Sequence, residues 1–368
     1  MTIGVPQERK AQEHRVGLFP CGVRALVQDG HRVVIERGAG HGCGISDEDF
    51  ERSGAQLGSA RDAWGQELVV KVKEPLREEY AFLRAELTLF TYLHLAANKE
   101  LTERLLASGC TAIAYESVET DERRLPLLAP MSEIAGRMAT IKAAELLSKN
   151  NGGSGKLMGG VTGVKPCKVV VIGAGIAGAQ AAEMAVGLGA DVTVMDIHSD
   201  VLRTLFYHLN GRIKTQHSTP DRLREEVRDA DVVISCVLIP NAAAPKLITR
   251  AMIASMRPGS VIIDVAIDQG GTTELSQPTT HERPCVQTDN GVLLYCVANM
   301  PGAYPRTSAE ALTNATLPYV RALAGQGWRA ALARDAALRR GLNVSGGVLY
   351  CRAVGESVGL PWREWQGG

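Results

Sequence analysis

The sequence lacks CxxC pairs, net charge and any long uninterrupted apolar run. Its eight cysteines are scattered, which argues against a zinc or iron–sulfur site and against a disulfide framework. The 40 Lys and Arg residues balance the 40 Asp and Glu residues, so no overall field draws the protein to nucleic acid or to an anionic membrane. Polar residues interrupt the most apolar stretch, and the first residues lack the basic and apolar segments of a signal peptide. We therefore expect a cytoplasmic protein that acts on small molecules, with no nucleic-acid or membrane partner.

Short β-rich runs alternate with helical segments on both sides of a glycine-rich stretch at residues 150–160. A chain of 368 residues is long enough for two or three domains. The predicted strands are TIGV, HRVVIER, ELVVKVK, LTLFTYL and TAIAYE before this stretch, and KVVVIG, DVTVMD, ADVVISCV and SVIIDVA after it. The alternation predicts an α/β fold with two Rossmann-like, doubly wound domains of parallel strands, separated by a cleft.

Three glycines of the stretch KVVVIGAGIAG fit the pattern G-x-G-x-x-G. Gly173, Gly175 and Gly178 follow an apolar strand and open an Ala-rich helix, which is the context of a dinucleotide-binding loop. Asp196 ends the next predicted strand, 18 residues after Gly178. Its carboxylate would accept hydrogen bonds from the ribose hydroxyls and repel a 2′-phosphate, which favours NAD over NADP. The alternative is a surface aspartate that caps the next turn.

The glycine motif lies near the middle of the chain, which favours the insertion of one domain into the other. Residues 129–304 would form the NAD-binding Rossmann domain. Residues 1–128 and 305–368 would together form the substrate or catalytic domain. Helical runs at 131–149 and 306–324 would cross between the two.

Three polar side chains are candidates for chemistry because ligands of open α/β sheets bind beyond the carboxyl ends of the strands. Lys73 and His94 end alternating runs, and Asp268 closes an apolar strand before two glycines. A fourth candidate is Arg15, in the stretch EHRVGLFP. Arg15 would grip a carboxylate with two parallel hydrogen bonds. Taken singly, Lys73 and Arg15 are as readily explained as solvated side chains, and His94 as a core histidine bonded to a backbone carbonyl.

Further blocks of sequence resemble the NAD-dependent alanine dehydrogenases over nearly the full length of the chain. The blocks are IGVPQERKAQEHRVGLFP, VKVKEP, FTYLHLA, LLAPMSEIAGRMA, VVVIGAGIAG, VAIDQGG, QPTTH and YCVANMPGAYPRTSAEALTNATLPYV. The resemblance implies reversible oxidative deamination of L-alanine to pyruvate and ammonia with NAD. The N-terminal half of proton-translocating nicotinamide nucleotide transhydrogenase is similar too, but its membrane region has no counterpart here.

The resemblance also implies roles for the candidate residues. Arg15 and Lys73 match residues that bind the substrate carboxylate, and Asn299 matches one that reaches toward the substrate. His94 matches the family's acid–base histidine, and Asp268 its catalytic aspartate. Retention of these side chains argues against a catalytically silent NAD-binding protein. A dehydrogenase of the same fold that acts on another small amino or keto acid remains the alternative.

Cofactor contacts are implied at the glycine loop, at later strand ends and in two further segments. They are Ser132, Gly173, Gly175, Ile176, Ala177, Gly178, Asp196, Arg203, Ser218, Val237, Leu238, Val265, Ala266, Ile267, Val297, Ala298 and Met300. Ser132 is also explained as the N-cap of the helix that SEIAGRMA would begin.

The chain departs from the family pattern at three positions. Gln277 stands where arginine is common, and Arg321 and Gly325 stand where some members hold a metal ion. We therefore expect no metal. The resemblance further implies a homo-oligomer, with a hexamer favoured over a dimer.

Overall fold

The computed structural model describes residues 1–237 and 244–367. The chain forms two compact units. The first comprises Met1–Met131 and Tyr304–Gly368, and the second comprises Ser132–Ala303.

Fifteen strands lie within the described residues. In chain order they are β1 (Thr2–Val5), β2 (Arg32–Glu36), β3 (Gln56–Gly58), β4 (Leu68–Val70), β5 (Thr88–Thr91), β6 (Thr111–Ala114), β7 (Lys168–Ile172), β8 (Asp191–Asp196), β9 (Lys214–His217), β10 (Val232–Ser235), β11 (Val261–Asp264), β12 (Cys285–Gln287), β13 (Leu293–Tyr295), β14 (Leu342–Ser345) and β15 (Val348–Leu349).

Twelve α-helices lie within the same part of the chain. They are α1 (Pro20–Gln28), α2 (Asp47–Arg52), α3 (Ala60–Trp64), α4 (Lys99–Ser108), α5 (Ala129–Leu146), α6 (Ile176–Gly187), α7 (Ser199–His208), α8 (Pro220–Asp229), α9 (Arg250–Ser255), α10 (Pro305–Arg334), α11 (Ala336–Arg340) and α12 (Arg352–Val358). Helix α10 breaks at Gly327, whose φ of 76° is outside the helical region.

The sheet of the first unit has eight strands in the order β15-β14-β6-β5-β4-β1-β2-β3. Its six strands β1 to β6 are parallel, and β14 and β15 add an antiparallel edge. The parallel strands therefore follow the order 3-2-1-4-5-6 of doubly wound folds. In this order the direction of winding reverses between β1 and β4, where ligands of such sheets bind.

The second unit repeats this order. Its seven strands run β12-β13-β11-β10-β7-β8-β9, and all except the edge strand β12 are parallel. The direction of winding reverses between β7 and β10. The glycine loop begins directly after β7. The two parallel-dominated sheets confirm the predicted fold class of two doubly wound α/β domains.

The apolar run of β7 explains why helices cover both faces of the second sheet. Val169 and Val171 belong to one buried cluster, whereas Val170 and Ile172 belong to another. Alternate side chains of a strand point to opposite faces, so a continuous apolar run requires cover on each side. None of the helices in the described residues is long and apolar enough to cross a membrane.

The strands end earlier than the sequence predicts. Strand β4 ends at Val70 rather than Lys73. Two backbone hydrogen bonds to the β5 segment continue beyond it, from Lys71 N to Phe90 O and from Tyr92 N to Val72 O, both at 3.2 Å, while the N–H of Val72 donates to a carboxylate oxygen of Glu8 (2.7 Å). The predicted helix near residues 78–85 is a 3₁₀ helix, Arg77–Phe82. Strands β3, β9, β14 and β15 are too short or too polar for their pattern to predict them.

Candidate active site

Arg15 lies in the loop between β1 and α1, and only 2% of it is exposed. Its Nε and Nη2 donate to the two carboxylate oxygens of Glu13, at 2.7 and 2.5 Å, and its Nη1 lies 3.0 Å from the Sδ of Met131. Burial lowers the pKa of Arg15, but the hydrogen bond and the charge of Glu13 together raise this pKa by more, so the net shift is upward. The guanidinium therefore stays charged in a fixed orientation at the end of β1.

Lys73 lies in the loop after β4, on the other side of the winding reversal. Its backbone N–H donates to Glu8 at 3.3 Å, and its carbonyl accepts from the Thr91 hydroxyl at 3.0 Å. Within the described residues the ammonium group makes no hydrogen bond or ion pair. Burial, followed by the positive charges of Arg15 and Lys10, lowers the pKa of Lys73. Two cations that lie near one another favour the binding of an anion, although the Glu13 carboxylate acts on both of them and reduces this field.

A buried ionic cluster that the sequence did not predict lies beneath this loop. The ammonium of Lys71 is wholly buried, 2.9 Å from an oxygen of Glu79 and 3.4 Å from an oxygen of Glu8, and it faces the ring of Trp64. Burial raises the pKa of Glu8, which also accepts the N–H groups of Val72 and Lys73. The cluster fixes the backbone that carries Lys73. Alternating Lys and Val in VVKVK is the one sequence signal of it.

His94 lies three residues beyond the end of β5 and is exposed. Its backbone is left-handed, with φ 50° and ψ 36°, and its N–H donates to Glu116 at 2.6 Å. The imidazole is stacked near Tyr92, with ring centroids 6.0 Å apart and 12° between the planes. The Tyr92 hydroxyl donates to the carbonyl of Leu127 at 2.5 Å, which holds that ring in place. An accessible imidazole on a fixed backbone suits proton transfer.

Glu74 follows Lys73 in the chain, and one of its carboxylate oxygens accepts from Lys10 at 2.5 Å. Its other oxygen is buried and has no hydrogen-bond partner among the described residues. Burial raises the pKa of Glu74, but the hydrogen bond and charge of Lys10, with a smaller contribution from His94, lower it overall. The sequence did not single out Glu74.

The glycine loop of the second unit connects β7 with α6. Gly173 has φ 92°, and a Cβ on Gly178 would lie 1.8 Å from its carbonyl oxygen. A Cβ on Gly175, by contrast, would meet no atom of the described residues within 4 Å. Ile176, the first residue of α6, is 46% exposed. The helix thus begins at an open face that suits a pyrophosphate, which supports the fit of a dinucleotide.

Asp196 ends β8 beside this loop. One carboxylate oxygen accepts the N–H of Ala174 at 2.7 Å and the other that of His198 at 2.8 Å, which leaves lone pairs for further donors. The Ser218 N–H donates to the carbonyl of Asp196 at 2.9 Å. Val237 lies beside Gly173, so these residues surround the loop.

Two further cofactor residues are predicted in this part of the chain. Arg203 is exposed on α7 and pairs with Asp200 at 2.6 Å. Leu238 lies outside the described residues.

Residues 265–268 form the first part of a 3₁₀ helix, Val265–Gln269, after β11. Ala266 and Ile267 are buried, whereas Asp268 is exposed and makes no side-chain hydrogen bond or ion pair within the described residues. The buried Asp264 holds the turn, because its oxygens accept from Ala266 N (3.2 Å), Thr272 N (2.7 Å) and the Ser276 hydroxyl. Asp268 is predicted from the sequence, whereas Asp264 is not.

The other predicted segments differ in exposure. Val297 and Met300 are buried in the core, while Asn299 is half-buried with a left-handed φ of 55°. Helix α5 begins at Ala129, so Ser132 lies in its first turn. The alternative explanation of Ser132 as an N-cap is therefore wrong.

Potential metal ligands do not cluster in residues 1–237 and 244–367, where no group of three His, Cys, Asp or Glu side chains could hold an ion. Arg321, at one of the divergent positions, pairs with Asp29 at 2.5 Å.

Comparison with known proteins places both units in one family. Residues 4–135 match the alanine dehydrogenase/PNT N-terminal domain, and residues 139–352 match its C-terminal domain. The alanine dehydrogenase of Halomonas elongata is 56% identical over 366 residues, covering 99% of this chain and 98% of that protein. That of Bacillus subtilis is 51% identical over 364 residues, covering 98% and 96%.

The chain belongs to the alanine dehydrogenase/PNT family.

Solved structures of this family share the fold. One of an L-alanine dehydrogenase is 50% identical, with a TM-score of 0.94 over 97% of this chain and 99% of that one. A transhydrogenase from Sinorhizobium meliloti is 25% identical, with a TM-score of 0.81 over 96% and 100%. Membership of the alanine dehydrogenase/PNT family, with the glycine loop, implies a nicotinamide dinucleotide cofactor.

Proposed function

We propose that this chain catalyses the reversible NAD-dependent oxidative deamination of L-alanine to pyruvate and ammonia. The observation that carries the proposal is the pair of cations, Arg15 and Lys73, at the winding reversal of one sheet, in a chain whose other sheet has a dinucleotide loop at its own reversal. Relatives named alanine dehydrogenase, aligned over almost the whole chain, support this choice of substrate.

We assign recognition of the substrate carboxylate to Arg15 and Lys73. Arg15 presents a charged guanidinium whose orientation Glu13 fixes, and Lys73 offers an ammonium without a partner in the described residues. Asn299 would add a hydrogen bond to the substrate. The electrostatic attraction between a carboxylate and two desolvated cations is stronger than it would be in water. This attraction would hold the substrate so that its α-carbon is fixed for reaction.

Proton transfers are assigned to His94 and Asp268. In the amination direction ammonia adds to the keto carbon of pyruvate, the added nitrogen gives up one proton, and the oxygen takes up two protons and leaves as water. NADH, when bound, would supply the hydride that converts the resulting iminium to alanine. His94 would donate the protons to the oxygen, regaining one from solvent between the two transfers, and Asp268 would accept the proton that the added nitrogen gives up. Both side chains are exposed and so accessible to substrate.

We assign NAD to the second unit and the substrate to the first. Gly173, Gly175 and Gly178, with Ile176 and Ala177, would hold the pyrophosphate at the start of α6. Asp196 would accept hydrogen bonds from the ribose hydroxyls, for which its carboxylate has free lone pairs. The remaining contacts assigned to NAD are Ser132, Arg203, Ser218, Val237, Leu238, Val265, Ala266, Ile267, Val297, Ala298 and Met300.

A homo-oligomeric state and a cytoplasmic location stay predictions. Light scattering of the purified full chain would test the first, because a hexamer and a dimer differ threefold in mass.

NADH oxidation assays test the proposed function. With ammonium present, the full chain should oxidise NADH faster with pyruvate than with 2-oxobutyrate or glyoxylate. With pyruvate and ammonium, it should oxidise NADH faster than NADPH. One added methylene costs about 1–3 kcal/mol in an apolar pocket, so 2-oxobutyrate should react slowly rather than not at all. A higher kcat/KM for another keto acid would favour the alternative dehydrogenase. An Asp268→Ala variant should bind NADH but lose most turnover, and full activity would refute its role.

A further inference from the structure

Glu116 and His94 lie 22 residues apart in sequence and are brought together by neighbouring strands. Strands β5 and β6 are parallel and hydrogen-bonded, with Thr91 opposite Ala114 at their carboxyl ends. The chain beyond β5 carries His94, and the 3₁₀ helix beyond β6, Tyr115–Ser117, carries Glu116. The pairing of the sheet thus places the Glu116 carboxylate beside the backbone of His94.

The Glu116 carboxylate accepts two consecutive backbone N–H groups. Leu93 N lies 3.1 and 3.2 Å from its two oxygens, and His94 N lies 2.6 Å from Oε1. These N–H groups belong to the segment where the chain leaves the sheet, so no strand satisfies them. Hydrogen bonds to an ionised carboxylate are the stronger kind, so Glu116 restrains this turn together with the hydrogen bond from Ala97 N to His94 O (3.2 Å).

The restraint acts where the backbone is in a sparsely populated conformation. His94 has φ 50° and ψ 36°, a region that non-glycine residues adopt only when their surroundings impose it. Without Glu116 the turn would relax toward ordinary φ values, and the imidazole would leave its place beside the Tyr92 ring.

We propose that Glu116 is a positioning residue for the reaction, which holds His94 where its imidazole can transfer a proton to the substrate. The inference rests on the proposed function, because it requires His94 to be the acid–base group. Glu116 acts through the backbone of His94 and touches no reacting atom.

A double-mutant cycle tests the inference in the full chain. The variants are Glu116→Ala, His94→Ala and the two combined, with Glu116→Gln as a milder change that keeps one acceptor oxygen. Glu103→Gln is the matched control, since Glu103 is an exposed glutamate of the same unit on α4. The readouts are kcat and KM for pyruvate in NADH oxidation, with NADH binding measured separately.

We expect Glu116→Ala to lower kcat about 100-fold while the KM for pyruvate changes less than about threefold, because a small misplacement of a catalytic group affects mainly the chemical step. Glu116→Gln should retain an intermediate kcat, and Glu103→Gln should match the unsubstituted chain. In the His94→Ala background, Glu116→Ala should lower kcat less than about twofold, because residues that act as a unit are non-additive.

Additive losses would overturn the inference, as would a Glu116→Ala variant with full kcat. If Glu116→Ala does not fold, the same comparison with Glu116→Gln decides. Full activity of His94→Ala would instead remove the proposed role of His94, so failure of the proposed function and failure of this inference give different results.

Discussion

Arg15 donates to both carboxylate oxygens of Glu13, two residues before it in the chain, and both side chains are buried. A buried ion pair is costly to break on one side, because the remaining charge keeps its desolvation penalty. The same pair orients the Arg15 guanidinium. The Arg15–Glu13 ion pair therefore contributes both to the stability of the fold and to the proposed carboxylate site.

Removing the arginine alone should therefore destabilise the chain more than removing both charges. We expect Arg15→Met to lower the free energy of unfolding by about 3–5 kcal/mol. The double variant Glu13→Gln/Arg15→Met should recover much of this loss, since no charge then remains in the pair. Urea unfolding of the single and double variants measures both values, and equal losses would contradict the structural role of the pair.

The lowered pKa of Lys73 predicts how pyruvate binding depends on pH. Because this pKa lies below the usual 10.5, the ammonium loses its proton at a lower pH than a solvated lysine. Its attraction for a carboxylate is fully present below the shifted pKa and is lost as the pH rises through it. Above that pH the dissociation constant of pyruvate, measured with NADH and without ammonium, should increase.

Lys73→Arg supplies the control, because a guanidinium does not titrate in this range. The variant should lose the alkaline increase in the dissociation constant, even if it binds pyruvate more weakly throughout. An identical pH profile in Lys73→Arg would assign the titration to another group.

The glycine loop predicts two different outcomes for two glycines. A Cβ at position 178 would lie 1.8 Å from the Gly173 carbonyl oxygen, whereas one at position 175 would meet no atom within 4 Å in the part of the chain that the structure describes. Gly178→Ala should therefore lower both the melting temperature and NADH affinity. Gly175→Ala should weaken NADH binding with little change in melting temperature, because its Cβ would occupy the space that the pyrophosphate needs. Unchanged NADH affinity in Gly175→Ala would argue against the proposed phosphate site.

Asp196 should determine the preference for NAD over NADP. Asp196→Asn removes the negative charge but keeps the size of the side chain beside Ala174 and His198. We expect the ratio of kcat/KM for NADH over NADPH to fall about 10- to 100-fold, the usual effect of losing hydrogen bonds to a charged group. Asp191→Asn, at the opposite end of β8 and paired with Lys214, is the control and should keep the ratio. A ratio unchanged in Asp196→Asn would remove this role.

The sequence predicted those features that depend on neighbouring residues. The spacing of Gly173, Gly175 and Gly178 is local, because strand, turn and helix follow one another in the chain. The alternating apolar runs likewise predicted most long parallel strands and hence the fold class.

Features that depend on distant residues were not predicted. Glu8 reaches Lys71 across 63 positions, and Glu116 reaches His94 across 22, so only the order of the strands brings them together. The N–H of Val72 likewise donates to the Glu8 carboxylate, which lies 64 positions earlier in the chain. Asp264 was overlooked because its partners follow it in the next loop, whose path no periodicity indicates.

A crystal structure of the full chain with NADH and pyruvate tests the central claim most directly. We expect the pyruvate carboxylate to contact Arg15 and Lys73, and the keto oxygen to lie within about 3.2 Å of the His94 imidazole or one water away. The keto carbon should face the reactive carbon of the nicotinamide. Pyruvate bound away from these three side chains, or NADH bound away from the Gly173–Gly178 loop, would contradict the account.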